Sequence, residues 1–182
     1  MKKYLSIILL ATSASSLAAE HSVGFDASWG VIGGELQEKS TEFHDLGTGH
    51  QVLYYQYQMN EYWGGKLGYL SGDSGDADFI TDLFTDSELE YSGAMLGLTG
   101  RYPLSPGNAF FLDLNAINYE LDFIVDGQTD LSESGVGYGV AIGWQYEFDS
   151  GLGIKAAYDM TQFDDNLEVL SVSLGVSYHF GG

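Results

Sequence analysis

Residues 136–148 read Val-Gly-Tyr-Gly-Val-Ala-Ile-Gly-Trp-Gln-Tyr-Glu-Phe, and every second residue is large and apolar. The residues between them are glycine, alanine or polar. A period of two places successive side chains on opposite faces of a β-strand. A strand in a soluble protein commonly has about five or six residues, whereas a tilted strand that crosses a bilayer needs roughly nine to eleven. This segment therefore predicts a membrane-spanning strand with one apolar face.

The same alternation recurs along the rest of the chain and gives eight candidate strands. They are residues 22–33, 51–60, 62–71, 89–102, 109–119, 136–148, 152–160 and 170–180. In the fourth strand both faces are mixed, and we assign Ala94, Leu96 and Leu98 to the outer face. An even number of strands closes an antiparallel sheet and removes the unpaired edges that hydrocarbon does not tolerate. We expect an all-β fold, an eight-stranded antiparallel up-and-down transmembrane β-barrel.

The connections between these strands alternate in length. Short turns at 60–61, 103–108 and 149–151 alternate with longer polar segments at 34–50, 72–88, 120–134 and 161–169. Transmembrane barrels have short periplasmic turns and longer extracellular loops. The pattern therefore predicts that both termini lie in the periplasm and that the long loops are extracellular.

The start of the chain indicates where the protein is located, and the net charge of the chain limits what it binds. Lys2 and Lys3 precede an apolar run, and Ser16-Leu17-Ala18 fits a small-x-small cleavage site, which is typical of a secretory signal peptide. We expect a signal peptide over 1–18 and one barrel domain over 19–182. With 26 acidic residues against 6 basic ones, binding of nucleic acid or heparin-like polyanions is disfavoured.

A secreted soluble barrel of lipocalin type is the alternative fold. Its large apolar side chains would point inward, and its surface would be a wall of small residues such as Gly137, Gly139 and Ala141. An eight-stranded interior holds only a packed core or one small ligand. Because this interior would have to hold Trp and Tyr from every strand, the membrane interpretation is favoured.

Three segments resemble a known family. The strand Trp63-Gly64-Gly65-Lys66-Leu67-Gly68-Tyr69, the turn Arg101-Tyr102-Pro103-Leu104 and the terminal Tyr178-His179-Phe180 are similar to the small outer-membrane β-barrel proteins of Gram-negative bacteria. This is the eight-stranded group of the OmpA membrane domain, OmpX and the opacity-like porin family. The resemblance implies a monomer in contact with outer-membrane lipid and lipopolysaccharide. It also implies recognition by the barrel assembly machinery through Tyr178 and Phe180, although here Gly181 and Gly182 follow the final aromatic residue.

Polar and charged residues occupy the inner face of several predicted strands. They are Asp26, Lys66, Asp113, Asn115, Gln145, Glu147, Lys155 and Asp159. An unpaired buried charge is very costly, so we expect the lysines to pair with the carboxylates. Eight strands leave little open lumen. A polar core that plugs the barrel is therefore favoured over a narrow, porin-like ion path.

The long loops hold most of the acidic residues. In the second loop, Asp73, Asp76 and Asp78 lie close enough in sequence to share a hard cation such as calcium, which takes oxygen ligands. The segment lacks the spacing of an EF-hand, and solvated surface charge is the favoured interpretation. We expect no cofactor. A weaker alternative to a defined cation site is that divalent ions bridge the acidic loops to lipopolysaccharide phosphates.

A hairpin is predicted between the fifth and sixth strands. Leu121, Phe123 and Val125 alternate with acidic residues and lead into Asp126-Gly127, a strong hairpin signal. The apolar parity is opposite to that of the preceding strand, which predicts a bulge or a change of exposed face near Ile117. A projecting strand pair offers edges to a partner strand, so these three apolar residues form a candidate partner-binding hairpin.

The leading functional hypothesis is a structural and surface-interaction role, adhesin-like, through the acidic loops and this hairpin. A narrow porin-like channel is the alternative. A lipid A-modifying enzyme is less favoured, because Ser177 and His179 share a face but lie at the turn end and point inward. We therefore expect no enzymatic activity.

Overall fold

The computed structural model describes residues 20–33, 47–73, 87–125, 128–164 and 167–181. These residues form eight strands, which confirms the predicted number. They are β1 Glu20–Gly33, β2 Gly47–Gln58, β3 Trp63–Asp73, β4 Ser87–Ser105, β5 Asn108–Val125, β6 Gln128–Glu147, β7 Leu152–Asp164 and β8 Leu167–Phe180. No helix among the described residues is long and apolar enough to cross a membrane.

The strands close into an antiparallel barrel in chain order, as predicted. Closure is made by β1 and β8, whose pairing runs from His21↔Phe180 to Gly33↔Glu168. Short turns join β2 to β3, β4 to β5 and β6 to β7, and two of them contain a glycine with positive φ, Gly107 (72°) and Gly151 (80°). We call this end of the barrel the turn side and the opposite end the loop side.

Several strands continue further toward the loop side than predicted. The segments 120–134 and 161–169, expected to be loops, are mostly strand, and the β5–β6 ladder reaches Val125↔Gln128. Strands β4, β5 and β6 have 19, 18 and 20 residues, well beyond the roughly nine to eleven that cross a bilayer. Their loop-side parts therefore project beyond the apolar belt.

That belt surrounds the barrel and consists of large apolar side chains that point outward. Its members include Val23, Phe25, Trp29, Leu53, Leu67, Tyr69, Leu98, Leu112, Leu114, Tyr138, Ile142, Tyr158, Val172, Leu174 and Val176. The outer assignment in β4 is confirmed, since Leu96 is 67% exposed and Ala94 and Leu98 are also exposed. A closed barrel with its apolar side chains outside is the arrangement that a hydrocarbon environment favours.

The bulge predicted near Ile117 is absent. Register is continuous in β5 from Ala109 to Phe123 on its β4 side and shifts on the β6 side only between Phe123 and Ile124. The alternative prediction, a change of face, agrees with the structure, because the apolar side chains change from the outward face to the inner face along the strand. Asp113 faces inward on the turn side, and Ile117 and Leu121, both 2% exposed, face inward on the loop side.

The loop-side half of the lumen is filled by an apolar cluster, which we call the apolar plug. It consists of Val52, Tyr54, Leu70, Tyr91, Met95, Ile117, Tyr119, Leu121, Phe163, Leu167 and Val169. The Phe163 ring packs at 5.1 Å from the Tyr91 ring and 5.3 Å from the Tyr119 ring, between centroids. The plug thus closes the barrel above the polar residues predicted to line it.

Candidate functional site

Four charged side chains lie across the middle of the lumen, and we call them the charged layer: Asp26, Lys66, Asp113 and Lys155. Lys66 Nζ lies 2.7 Å from Asp113 Oδ2 and 4.0 Å from Asp26 Oδ2, and Lys155 Nζ lies 2.6 Å from Asp26 Oδ2. Their side chains are between 3% and 11% exposed. The four groups therefore form a buried chain of alternating sign that joins β1, β3, β5 and β7.

Small residues make room for these side chains. A Cβ at Gly175 would overlap Asp26 Oδ1 and would lie 2.9 Å from Lys155 Cε, and a Cβ at Gly97 would overlap the Asn115 amide oxygen. Glycine is the residue that permits such a close approach. The small inner face that identified the strands thus has a packing role, because it accommodates long polar side chains from neighbouring strands.

Tyr54 joins the charged layer to the apolar plug. Its ring centroid lies 4.4 Å from both Lys66 Nζ and Lys155 Nζ, so that each ammonium has an aromatic face as well as a carboxylate. Phe111 adds a second ring, 5.3 Å from Lys155 Nζ. The sequence gives no signal for this role, because the adjacent Tyr54 and Tyr55 are both aromatic and alternation alone does not say which of them contacts the lysines.

A second charged cluster lies at the turn-side mouth. Arg101 lies 3.9 Å from a Glu20 oxygen and 3.8 Å from a Glu147 oxygen, and His179 Nδ1 lies 3.6 Å from the same Glu147 oxygen. With its amide oxygen turned toward Arg101, Gln145 accepts from the guanidinium at 3.1 Å. Gln145 and Glu147, predicted to line the lumen, therefore belong to this mouth and not to the charged layer.

The mouth cluster has two features of a chemical site. Glu20, Glu147 and His179 each bring a ligand atom within 4.8 Å of the others, yet the Arg101 guanidinium already lies beside both carboxylates. Ser177 Oγ lies 3.1 Å from His179 Nε2, which resembles a nucleophile and its base. The adjoining void has a volume of about 10 Å³, which is about the space that one water needs.

Three voids lie along the part of the lumen that the described residues enclose. A vestibule of about 640 Å³ opens at the turn side, a void of about 10 Å³ follows it, and a cavity of about 40 Å³ lies between the charged layer and the apolar plug. Asn115 and Asp159, the remaining predicted lumen residues, line that cavity. Through the described residues, therefore, the lumen is interrupted.

The predicted cation ligands of the second loop fall mostly outside the described residues. Asp76 and Asp78 lie in the undescribed range 74–86. Asp73 ends β3, and its backbone oxygen accepts a hydrogen bond from Thr48 Oγ1 at 2.9 Å. A cation site here stays a prediction.

The projecting parts of β4, β5 and β6 form what we call the outer sheet, residues 87–92, 118–125 and 128–135. Its outward face is polar and acidic, with the paired rows Ser92–Glu120–Ser134 and Glu90–Asp122–Ser132. The prediction that Leu121 contributes to an apolar partner-binding surface of the hairpin is wrong, because Leu121 is buried inside the apolar plug. The side chains of Phe123 and Val125 lie outside the described ones.

One edge of the outer sheet has no neighbour among the described strands. The β6–β7 ladder begins at Tyr138↔Gln162, whereas β6 itself begins at Gln128. Gly137 still lies beside the backbone of Gln162 and Phe163 in β7. Residues 128–135 therefore pair with β5 on one side, and on the other side no described strand continues the ladder. Within the part of the chain that the structure describes, the backbone groups along that edge have no strand partner, and an edge of this kind can pair with an added strand.

Comparison with known proteins gives a family and a fold. Residues 5–180 match the model of the outer membrane protein beta-barrel domain family. The structure of Ail, the attachment invasion locus protein of Yersinia pestis, in complex with the heparin analogue sucrose octasulfate, is similar at a TM-score of 0.62 and 19% identity, covering 90% of this chain and 100% of Ail. Neisserial surface protein A is similar at 0.68 and 17%, covering 88% and 97%.

A de novo designed transmembrane β-barrel is also similar, at a TM-score of 0.53 and 14% identity, covering 88% of this chain and 95% of the design. Identities this low show a shared fold. No curated protein matches the sequence significantly.

Proposed function

The chain belongs to the outer membrane protein β-barrel domain family, and we propose that it is a cell-surface interaction protein, adhesin-like, whose outer sheet receives an extended segment of a partner. The observation that supports this proposal most is the edge of β6 at residues 128–135, which has no neighbour among the described strands. Strand addition uses the backbone hydrogen bonds of such an edge for affinity and neighbouring side chains for specificity.

The charge of the outer sheet limits the chemical class of the proposed partner. Its outward rows carry Glu90, Glu120 and Asp122 and no basic residue, and the chain as a whole has a formal net charge of -20. The structure of Ail contains a sulfated heparin analogue, but here a polyanion would meet like charge. The proposed partner is therefore a neutral or basic extended peptide segment of a surface protein.

The orientation follows from the same proposal. Residues 1–18 act as a signal peptide, residues 19–182 form the barrel, both termini lie in the periplasm, and the outer sheet and acidic loops are extracellular. The asymmetry of short turns and long loops supports this orientation. Tyr178 and Phe180, which point outward at the end of β8 with 53% and 44% exposure, serve as the signal for the barrel assembly machinery.

The outer membrane supplies the remaining proposed contacts. The apolar belt meets lipid around a monomer, since the closed barrel leaves no strand edge within the belt. The acidic loops approach lipopolysaccharide phosphates through bridging divalent cations, which prefer oxygen ligands.

The channel alternative is disfavoured by the charged layer and the apolar plug, which lie in series across the lumen. Planar-bilayer recordings of the purified barrel should show no reproducible unitary conductance. Steps that change in size with Lys66→Ala would support the channel instead. Catalysis is not part of the proposal, and unchanged lipid A masses in cells with and without the protein would agree with that.

The edge proposal is tested by proline substitutions at adjacent positions of β6. Neighbouring residues of a strand direct their N–H groups to opposite sides, so of Glu133→Pro and Ser134→Pro only one removes an N–H on the open edge, and the other removes one bonded to β5. We expect the open-edge variant to reduce adhesion of protein-bearing bacteria to cultured host cells at least several-fold with unchanged thermal stability. The variant that loses a hydrogen bond to β5 should instead have a lower thermal stability.

Outer-membrane amounts of both variants are compared by the heat-dependent gel mobility of the folded barrel. Wild-type adhesion by both variants at equal surface amounts would contradict strand addition at this edge. Adhesion that is lost equally on Asn118→Ala, on the outward face of β5, would instead indicate recognition through the sheet face.

A further inference from the structure

A groove lies on the outer surface of the barrel, across the neighbouring strands β1, β8, β7 and β6. It has a volume of about 570 Å³, within the range of roughly 300 to 1,000 Å³ that is common for small-molecule sites. Trp29 and Tyr158, which are 54% and 72% exposed, project on its two sides. Val172 pairs with Trp29 in β1 and with Tyr158 in β7. It therefore forms the floor between two aromatic walls whose backbones are about 10 Å apart, two strand spacings.

The floor of the groove continues toward the loop side and is apolar. The next row consists of Val140, Met160 and Leu170, which are paired across β6, β7 and β8. Val140 and Met160 point outward and are nevertheless half-buried, because the taller side chains around them shield them. The side chains that face the groove are therefore those of an elongated apolar depression in the belt, and its occupant is an apolar chain.

The loop-side end of the groove is polar. Gln162 and Glu168 pair with each other across β7 and β8, one row beyond Met160 and Leu170, and both are half-buried on the outward face. Their side-chain oxygens accept hydrogen bonds from hydroxyl and amide groups, whereas a phosphate at this position would meet like charge. The occupant that fits is an amphiphile whose chain lies in the groove and whose uncharged, donor-rich head lies at Gln162 and Glu168.

We propose that the groove binds one acyl chain of lipid A, with the sugar that carries this chain at Gln162 and Glu168. The inference rests on the proposed orientation, in which the loop side of the belt lies in the outer leaflet. The acyl chains of lipid A are attached directly to amino sugars, whereas those of a phospholipid are attached to a glycerol that adjoins a phosphate. Because lipid chains are as apolar as the belt itself, the preference comes from packing between the aromatic walls and from the head, not from transfer out of water.

The three tryptophans of the chain provide the test. The double variant Trp63→Phe/Trp144→Phe keeps Trp29 in the groove, and Trp29→Phe/Trp144→Phe keeps Trp63, which is similarly exposed at 55% but lies at the turn side. In vesicles of phosphatidylcholine with brominated acyl chains, bromine quenches both tryptophans on contact. Added lipid A should restore the fluorescence of Trp29 several-fold more than that of Trp63. Equal recovery at both positions would overturn the proposal.

A second pair of variants fixes the position of the site. Val172→Phe, in the chain that keeps Trp29, fills the floor of the groove and should abolish the excess recovery. Val176→Phe, further along the outward face of β8 and paired with Phe25 and Ile154, should retain it. Excess recovery that survives Val172→Phe would overturn the assignment to this groove.

The orientation is measured separately, because these vesicles carry lipid A in both leaflets. The chain has no cysteine, so a membrane-impermeant maleimide on intact cells should label Ser132→Cys in the outer sheet and not Ser105→Cys in the β4–β5 turn, both of which are exposed. The reverse labelling would overturn the proposed orientation, and with it lipid A as the occupant in cells, whatever the vesicles show.

Discussion

The turn-side and loop-side parts of strand β5 have their apolar side chains on opposite faces. Between Phe110 and Leu114 the outward side chains are apolar and about half exposed, and Asp113 faces the lumen. Between Asn118 and Asp122 the outward side chains are polar, and Tyr119 and Leu121 are buried inside. The alternation continues without a bulge across this boundary. Period two therefore specifies the strand, whereas the surrounding solvent, hydrocarbon or water, decides which face is apolar.

The interior differs in the same way between the two parts. Below the boundary the lumen is held by ion pairs, and above it by packed aromatic and aliphatic side chains. Buried ion pairs depend on both partners being present, whereas an apolar cluster loses stability in proportion to the space left empty. The two halves should therefore respond differently to truncation.

The largest effect is expected from Asp113→Ala in the charged layer. It leaves the Lys66 ammonium, 5% exposed, without its 2.7 Å partner, and breaking a buried pair from one side costs about 3 to 5 kcal/mol. Urea unfolding in lipid vesicles measures the loss of unfolding free energy. The double variant Lys66→Met/Asp113→Leu should recover most of it, and a double variant as unstable as the single one would contradict the ion-pair explanation.

A somewhat smaller effect is expected from Phe163→Ala in the apolar plug. Phe163 is 2% exposed and packs against the Tyr91 and Tyr119 rings, and such a truncation costs about 3 to 4 kcal/mol, partly through the cavity that remains. Phe110→Ala in the belt is the control. Lipid fills the space outside the barrel, so its loss in the same unfolding experiment should be clearly smaller. Equal losses would mean that residue 163 is not packed as described.

The boundary itself is tested by placing one charge on each side of it. Leu114→Arg puts a guanidinium in the outward belt, where it costs about 2 to 4 kcal/mol near the bilayer midplane. Asn118→Arg, on the same outward face of β5 and exposed, should cost about 0 to 1 kcal/mol because the position lies near or beyond the membrane surface. Unfolding in vesicles compares the two, and equal losses would move the boundary further toward the loop side.

Most of the fold could be predicted from the sequence because a strand that meets lipid on one face carries a period-two signal. All eight strands and the inward assignment of Lys66, Asp113 and Lys155 come from it. The loop-side extensions were partly missed because the same parity that marks a lipid-facing strand reverses beyond the membrane, so that Leu121 looked like an exposed residue. Alternation assigns these residues to the inner face, but it does not say which of them form ion pairs. That depends on the register between the strands.

The smallest effect is expected from adding a methyl group to the inner face. In Gly175→Ala the new Cβ overlaps Asp26 Oδ1 and crowds Lys155, which pushes apart the 2.6 Å pair between Lys155 Nζ and Asp26 Oδ2. Overpacking of this kind costs about 1 to 3 kcal/mol, and here flexible side-chain atoms can retreat into the neighbouring cavity, so we expect about 1 to 2 kcal/mol in vesicle unfolding. Gly65→Ala, on the outward face of β3, is the control without crowding, since nothing lies within 4 Å of a Cβ there. It should be neutral or slightly stabilising because alanine has less freedom to lose than glycine. If both glycines respond alike, the small inner face reflects strand conformation alone, and the charged layer does not depend on the space that Gly175 leaves.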